Sequence, residues 1–230
     1  MTTHRPLQIA IDGPVAAGKG DIASRLASDL GFLYIYTGAM YRALALACLR
    51  AGTSFKDKER VASLLDQIAI DLEEPDKDSK HPCKVLLNKR DVTERIFEQD
   101  VAMGSSDVGI IAEVRQKMVT MQQELALDKN VVMEGRDIGF RVLPNAFKIF
   151  LTAAVEERAR RRWEQFKSRG IMKTYGEVLE DTKKRDEQDL TRETDALQKL
   201  PDAWELDTTN LSQDQIVAAI KQELSNRGLL

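Results

Sequence analysis

Gly13-Pro14-Val15-Ala16-Ala17-Gly18-Lys19 follows directly on the apolar run Leu7-Gln8-Ile9-Ala10-Ile11, so a short buried strand delivers the chain into a glycine-rich turn ending in lysine. Such a turn is a phosphate cradle. Glycines let backbone N–H groups converge on an anion, a helix starting near Lys19 aims its positive end inward, and the ammonium of Lys19 reaches the terminal phosphates. The spacing G-x-x-x-x-G-K occurs by chance as a bare pattern, but a strand before it and a helix after it favour the phosphate reading. A Ser or Thr usually follows the lysine and binds magnesium; here Gly20 and Asp21 stand there instead.

Four further sets of residues suit an anionic ligand. Glu134-Gly135-Arg136-Asp137-Ile138-Gly139 follows the run Val131-Val132-Met133, which puts Arg136 and Asp137 at the end of a strand beside the cradle. Arg42 lies one turn into the helix after Thr37-Gly38 and projects toward the same cleft. Arg185, Asp189 and Arg192 are spaced by four and three residues, one face of a helix. That face reads either as a solvated ion-pair ladder or as planar donors for base and phosphate with a carboxylate for sugar hydroxyls. Arg158, Arg160, Arg161 and Arg162 form a dense basic stretch. In phosphoryl transfer, mobile arginines neutralise charge spread over the phosphate oxygens, and no nucleophilic side chain is required.

The elements that must position these residues alternate. Leu7 to Ile11 is followed by a helix from about Lys19 to Leu30, a strand near Phe32 to Ile35 and a helix from about Gly38 to Ala51 that stops at Gly52. Strands recur at Val131 to Met133, Phe147 to Leu151 and Ala203 to Leu206. The expected class is therefore α/β, a parallel central sheet flanked by helices with ligands at the carboxyl ends of the strands. Two stretches interrupt the alternation. Ile70-Asp71-Leu72, Lys84 to Asn88 and Asp91-Val92-Thr93 read as three short antiparallel strands of an inserted subdomain, followed by a long helical region from about Phe97 to Asp128. A polar helical stretch runs from Glu157 to Arg192. The expected division is a core of residues 1–55, 97–155 and 195–230, an insert of 56–96 and a lid of 156–194. Asn88-Lys89-Arg90-Asp91 matches the guanine-reading N-K-x-D pattern, but no D-x-x-G element accompanies it, and a hairpin turn fits better.

Composition sets the outer bounds. With 230 residues, 43% of them hydrophobic, the chain can bury a full core. No window approaches the roughly 18 consecutive apolar residues of a membrane span, so a cytoplasmic protein without a membrane partner is expected. A net charge of −3 argues against general nucleic-acid binding. His4 and His81 offer no zinc set or catalytic triad, and no protein-built metal site is expected. Cys48 reads as a buried core residue and Cys83 as part of a polar loop.

Taken in order, the cradle, Thr37-Gly38-Ala39-Met40-Tyr41-Arg42, Gly135-Arg136-Asp137-Ile138-Gly139, Lys184-Arg185-Asp186 and Leu206-Asp207-Thr208-Thr209 closely resemble the bacterial cytidylate kinase family, over nearly the whole chain. The resemblance implies a P-loop nucleoside monophosphate kinase that transfers the terminal phosphate of ATP to CMP or dCMP. ATP with Mg2+ would lie on Gly13 to Asp21, and Lys19, Arg158 and Arg162 would act on the transferring phosphate. Arg42 and Arg136 would hold the acceptor phosphate; Ser106, Arg115, Asp137 and Arg192 would contact cytosine; Arg185 and Asp189 would contact the sugar, with Thr37 in the same acceptor site. Three departures line one cleft: Asp21 replaces a threonine, Tyr36 an aspartate, and Gly139-Phe140-Arg141 stands for Gly-Thr-Val. They are the best support for one alternative, a catalytically weak nucleotide-binding regulatory protein; the other alternative is a kinase for another monophosphate such as UMP. Nothing suggests an extended apolar interface, and a monomer is expected.

Overall fold

The computed structural model describes residues 6–76, 79, 81–168, 170–191 and 193–230. The chain begins with β1 (Gln8–Asp12), α1 (Lys19–Leu30), β2 (Leu33–Tyr36) and α2 (Thr37–Ala51). It continues through α3 (Lys58–Leu65), β3 (Ile70–Glu73), β4 (Lys84–Leu87), β5 (Arg90–Asp91) and α4 (Thr93–Ile96). Next come α5 (Gln99–Val108), α6 (Ala112–Ala126), β6 (Val131–Gly135), a π-helical turn at Ile138–Val142 and β7 (Phe147–Thr152). The chain ends with α7 (Val155–Ser168), α8 (Tyr175–Thr191), β8 (Trp204–Asp207) and α9 (Gln213–Asn226).

The parallel α/β core expected from the alternation is present. Five parallel strands are ordered β2-β6-β1-β7-β8, and β3-β4-β5 form a separate antiparallel sheet. Both faces of the main sheet are covered, which explains why its central strands are continuous apolar runs. Side chains alternate between the faces with period two. Ile9, Ile11 and Val132 pack with Ile22, Leu26, Ile216 and Ile220 of α1 and α9 on one side; Ala10, Val131 and Met133 pack with Val119 and Ala126 of α6 on the other. A second body of core gathers round α2, whose Ala39, Met40, Ala43, Leu44 and Leu46 are almost wholly buried against α5, α6 and the small sheet. These two cores hold the carboxyl ends of β1, β2 and β6 rigidly side by side: Asp12 is in register with Gly135, and Tyr36 with Glu134.

The hairpin reading of Asn88-Lys89-Arg90-Asp91 is borne out. Asn88 and Lys89 adopt φ of 51° and 62° and join β4 to β5, the left-handed pair that a tight hairpin needs. Other expectations change. The single helical region after Phe97 is divided into α5 and α6 by the bend at Gly109 to Ile111, and the polar stretch from Glu157 is two helices, α7 and α8, packed on each other. Cys83 is not in a polar loop: it is 2% exposed in the core under β4, and burial pushes its thiol up to about 12. A single apolar residue between His81-Pro82 and Lys84 carries no periodic signal, so its inward direction was not legible. No helix among the described residues is long and apolar enough to cross a membrane.

Candidate active site

The cradle starts where β1 ends. Gly13 has φ of 153°, and a Cβ there would stand 2.0 Å from the carbonyl oxygen of Leu151 in the neighbouring strand, so only glycine lets the backbone turn this close to β7. Gly18 caps α1 at φ 86° and leaves the helix's first amides open to the turn. Lys19 is 5% exposed; its Nζ donates to the carbonyls of Gly13 at 2.8 Å and Pro14 at 2.7 Å. Burial, reinforced by the charge of Arg136, lowers its pKa to about 7. A group held this way gains its full charge when phosphate arrives.

Beside the cradle, the turn after β6 is fastened by Asp12, which sequence reasoning passed over. Its carboxylate accepts from the amides of Ile138 at 2.9 Å and Gly139 at 2.8 Å. Burial lifts its pKa to about 6 against the pull of those two bonds. A charged residue closing an otherwise apolar strand directly before the cradle was the available signal. The two amides fix the turn that carries Arg136 and Asp137. Glu134, 7% exposed on the cleft wall, was likewise quoted within a motif but given no role.

One cleft of about 1000 Å³ collects nearly every residue singled out. Val15 to Asp21, Thr37, Arg42, Ser106, Arg115, Arg136, Asp137, Arg162, Arg185 and Asp189 line it, whereas Gly13 and Pro14 form the turn beneath. Arg192 lies outside the described residues. Thr37 Oγ1 donates to Glu134 O at 2.8 Å, tying the start of α2 to β6. Arg42 donates to Ile96 O at 3.0 Å, with its guanidinium 5.4 Å from the Phe97 ring centroid. Arg136 Nε donates to Asp189 Oδ2 at 2.6 Å, so Asp189 serves as more than a rung of a ladder along α8. Desolvation, with the like charges of Arg136 and Arg42, lowers the pKa of Arg185. Arg115, 4% exposed, donates through Nη2 to Asp137. The arginine-rich floor is thus a partly compensated anion site, in which incoming phosphate relieves repulsion among cations.

The arginines of α7 divide in two. Arg162 lines the cleft with its guanidinium 4.8 Å from the Phe166 ring centroid, and Arg161 reaches the carbonyl of Thr208 at 2.6 Å. Arg158 does not line the cleft: it is 6% exposed, donates to Ala153 O and Val15 O at 2.9 and 3.0 Å, and forks onto Asp186 at 2.9 and 2.7 Å. It joins α7 and α8 to the back of the cradle.

The departures from the family pattern are accommodated. Asp21 is exposed in the first turn of α1 and accepts a 3.4 Å hydrogen bond from Gln213 of α9. Tyr36 stacks between Tyr34 and Phe97, with ring centroids 6.3 and 6.2 Å apart, and leans over Gly38, where a Cβ would meet its ring at 2.8 Å. Phe140 points outward, 47% exposed. Among the described residues no group of three or more His, Cys, Asp or Glu could hold a metal ion.

Residues 9–226 match the family model for cytidylate kinase. The chain is 46% identical over 224 residues to the cytidylate kinase of Geobacillus kaustophilus, covering 97% of this chain and 98% of that one. It is 45% identical over 217 residues to the enzyme of the same name from Caldicellulosiruptor bescii, 94% of each chain, and 44% identical over 228 residues to that of Bacillus subtilis, 96% of this chain and 99% of that one. At the level of fold, it resembles the crystal structure of an uncharacterized protein from Eubacterium ventriosum, with a TM-score of 0.52 and 14% identity over 96% of this chain and 98% of that one. The cradle, the charged turn after β6 and the match along almost the whole length place this chain in the cytidylate kinase family.

Proposed function

We propose that the protein transfers the terminal phosphate of ATP to CMP, and to dCMP, giving ADP and the diphosphate. The observation that carries this reading is the single cleft in which Lys19 of the cradle faces Arg42, Arg136 and Asp137 of the acceptor wall. A regulatory binder that had lost its chemistry would have no need of all four.

ATP lies along Val15 to Asp21, its phosphates on the amides that open α1 and its charge on Lys19. Magnesium fits as an ion carried by the phosphates. The cradle supplies no hydroxyl at Gly20, Asp12 already accepts two amides, and Asp21 is the carboxylate of the cradle that lines the cleft. Bound there, the ion would shield the phosphate charge, with phosphate oxygens and water as most of its ligands. CMP lies opposite, its phosphate on Arg42 and Arg136, its sugar toward Arg185 and Asp189, and its base toward Ser106, Arg115 and Asp137. Arg162, with Arg161 beside it, closes over the transferring group, and Arg158 serves by bracing residues 156–194, a lid, against the cradle. The reaction needs positioning and charge compensation, which these residues supply without a general base of unusual pKa.

Asp137 selects the base. A carboxylate accepts from the exocyclic amine of cytosine, whereas O4 of uracil would set acceptor against acceptor. Steady-state kinetics on Asp137→Ala test this: kcat/KM for CMP should fall by about a hundredfold or more while that for UMP changes little. Equal losses on both nucleotides would show that Asp137 only supports the turn.

A further inference from the structure

Asp195 lies in the segment between α8 and β8, away from every motif that marks the site, and its environment is unusual. Its side chain is 7% exposed, and its φ of 54° is left-handed, a state that aspartate and asparagine adopt more readily than other non-glycine residues. Oδ2 accepts from Arg115 Nε at 3.2 Å, and Oδ1 stands 2.9 Å from Arg141 Nε. Arg115 is itself 5% exposed in its side chain; its Nη1 donates to Gly109 O at 3.2 Å and its Nη2 to Asp137. The guanidinium is therefore fixed on three edges, by the base-facing carboxylate, by a backbone carbonyl and by Asp195. Arg141, one of the departures from the family pattern, is held in turn by Gln116, whose Oε1 accepts at 3.0 Å. Two arginines and two carboxylates meet here from three segments: α6, the turn after β6 and the segment before β8.

We propose that Asp195, anchored by Arg141, is a positioning residue that orients Arg115 on Asp137 and so sets the discrimination between an amino and an oxo pyrimidine. This rests on the reading of Asp137 as the group that meets the base. A guanidinium gripped at Nε cannot swing fully onto Asp137, so the carboxylate keeps the orientation in which it meets the ligand. Neutralising Asp195 weakens that grip at Nε and lets Arg115 compete with the base for Asp137. The segment also leads out of the helix that carries Arg185 and Asp189, and Leu197 N donates back to Asp189 O at 2.7 Å, so the sugar-facing helix and the base-facing clamp are continuous.

The test is steady-state kinetics with CMP and UMP on Asp195→Asn, since asparagine keeps the shape and tolerates the left-handed backbone. The expected result is a KM for CMP raised about tenfold, a CMP to UMP preference in kcat/KM narrowed by about tenfold, and a KM for ATP unchanged within about twofold, as for a misplaced binding group. Arg141→Gln, which removes the anchor from the exposed side, should shift the same preference in the same direction by a smaller factor, and it carries the test should Asp195→Asn fold poorly. Either folded variant with an unchanged preference, in an enzyme whose preference Asp137→Ala abolishes, overturns the inference and leaves the base reading intact. A preference that survives Asp137→Ala overturns the base reading and the inference with it.

Discussion

Lys19 reports the state of the cradle through its own proton. In the free protein its pKa is pulled down to about 7 by burial and by Arg136, against an ordinary value of 10.5. Between those values the folded chain binds fewer protons than the unfolded one, so the cost of burying this group is full below pH 7 and is relieved as pH rises through that window. Phosphate reverses the shift. At pH 8, ATP binding should take up most of one proton, measurable by calorimetry in buffers of different ionisation enthalpy, and Lys19→Met should abolish the uptake. The KM for ATP should rise by up to about tenfold per pH unit above 7 as the free ammonium is lost; a KM flat from pH 6.5 to 8.5 would contradict the assignment. Asp21 carries a separate prediction. Its carboxylate stands on the cleft wall where phosphate charge gathers, so Asp21→Thr should lower the KM for ATP by about threefold through relieved repulsion. An unchanged KM would contradict a repulsive role for Asp21.

At the scale of elements, two polar ties hold donor and acceptor sides together. Asp12 joins β1 to the turn after β6, and its replacement by alanine orphans two buried amides, so Asp12→Ala should destabilise the protein by about 3 kcal/mol in urea unfolding. Because that turn carries Arg136 and Asp137, the KM for CMP should rise more than the KM for ATP; the reverse order would place Asp12's work in the cradle alone. Arg158 and Asp186 tie α7 to α8 and to Val15, and removing one partner of so enclosed a pair should cost about 3 kcal/mol, read by the same unfolding experiment on Asp186→Ala. A loss below about 0.5 kcal/mol would mark the pair as a surface contact. The sequence marked Asp12 only as a charge closing an apolar strand, and the partners in both ties were not legible, because each tie joins residues far apart in the chain. What was legible were local patterns: the apolar run into the cradle, the charged turn after β6, and the helical spacing of Arg185 and Asp189. The inserted sheet was readable from its short runs and a turn pair, although the expected third strand at Asp91-Val92-Thr93 is instead Arg90–Asp91, with Thr93 opening α4, and the breaks within the helices around Gly109 and Gly170 left little compositional trace.

At the scale of the whole molecule, α7 and α8, tied to each other by Arg158 and Asp186, form an arm that meets the core through polar contacts: Arg136 with Asp189, Arg158 with Val15, and Arg161 with Thr208. Such a seam reorganises at lower cost than an apolar one, which suits the lid role proposed for this arm. Amide exchange in α7 and α8 should therefore slow markedly with ATP and CMP together, while exchange in β1 and β6 changes little. The measurement that bears most directly on the central claim is ADP release from ATP and magnesium with CMP, dCMP, UMP and AMP offered in turn. Turnover on CMP and dCMP far above that on UMP and AMP is the predicted result; nucleotide binding without turnover on CMP, or equal turnover on UMP, would contradict it.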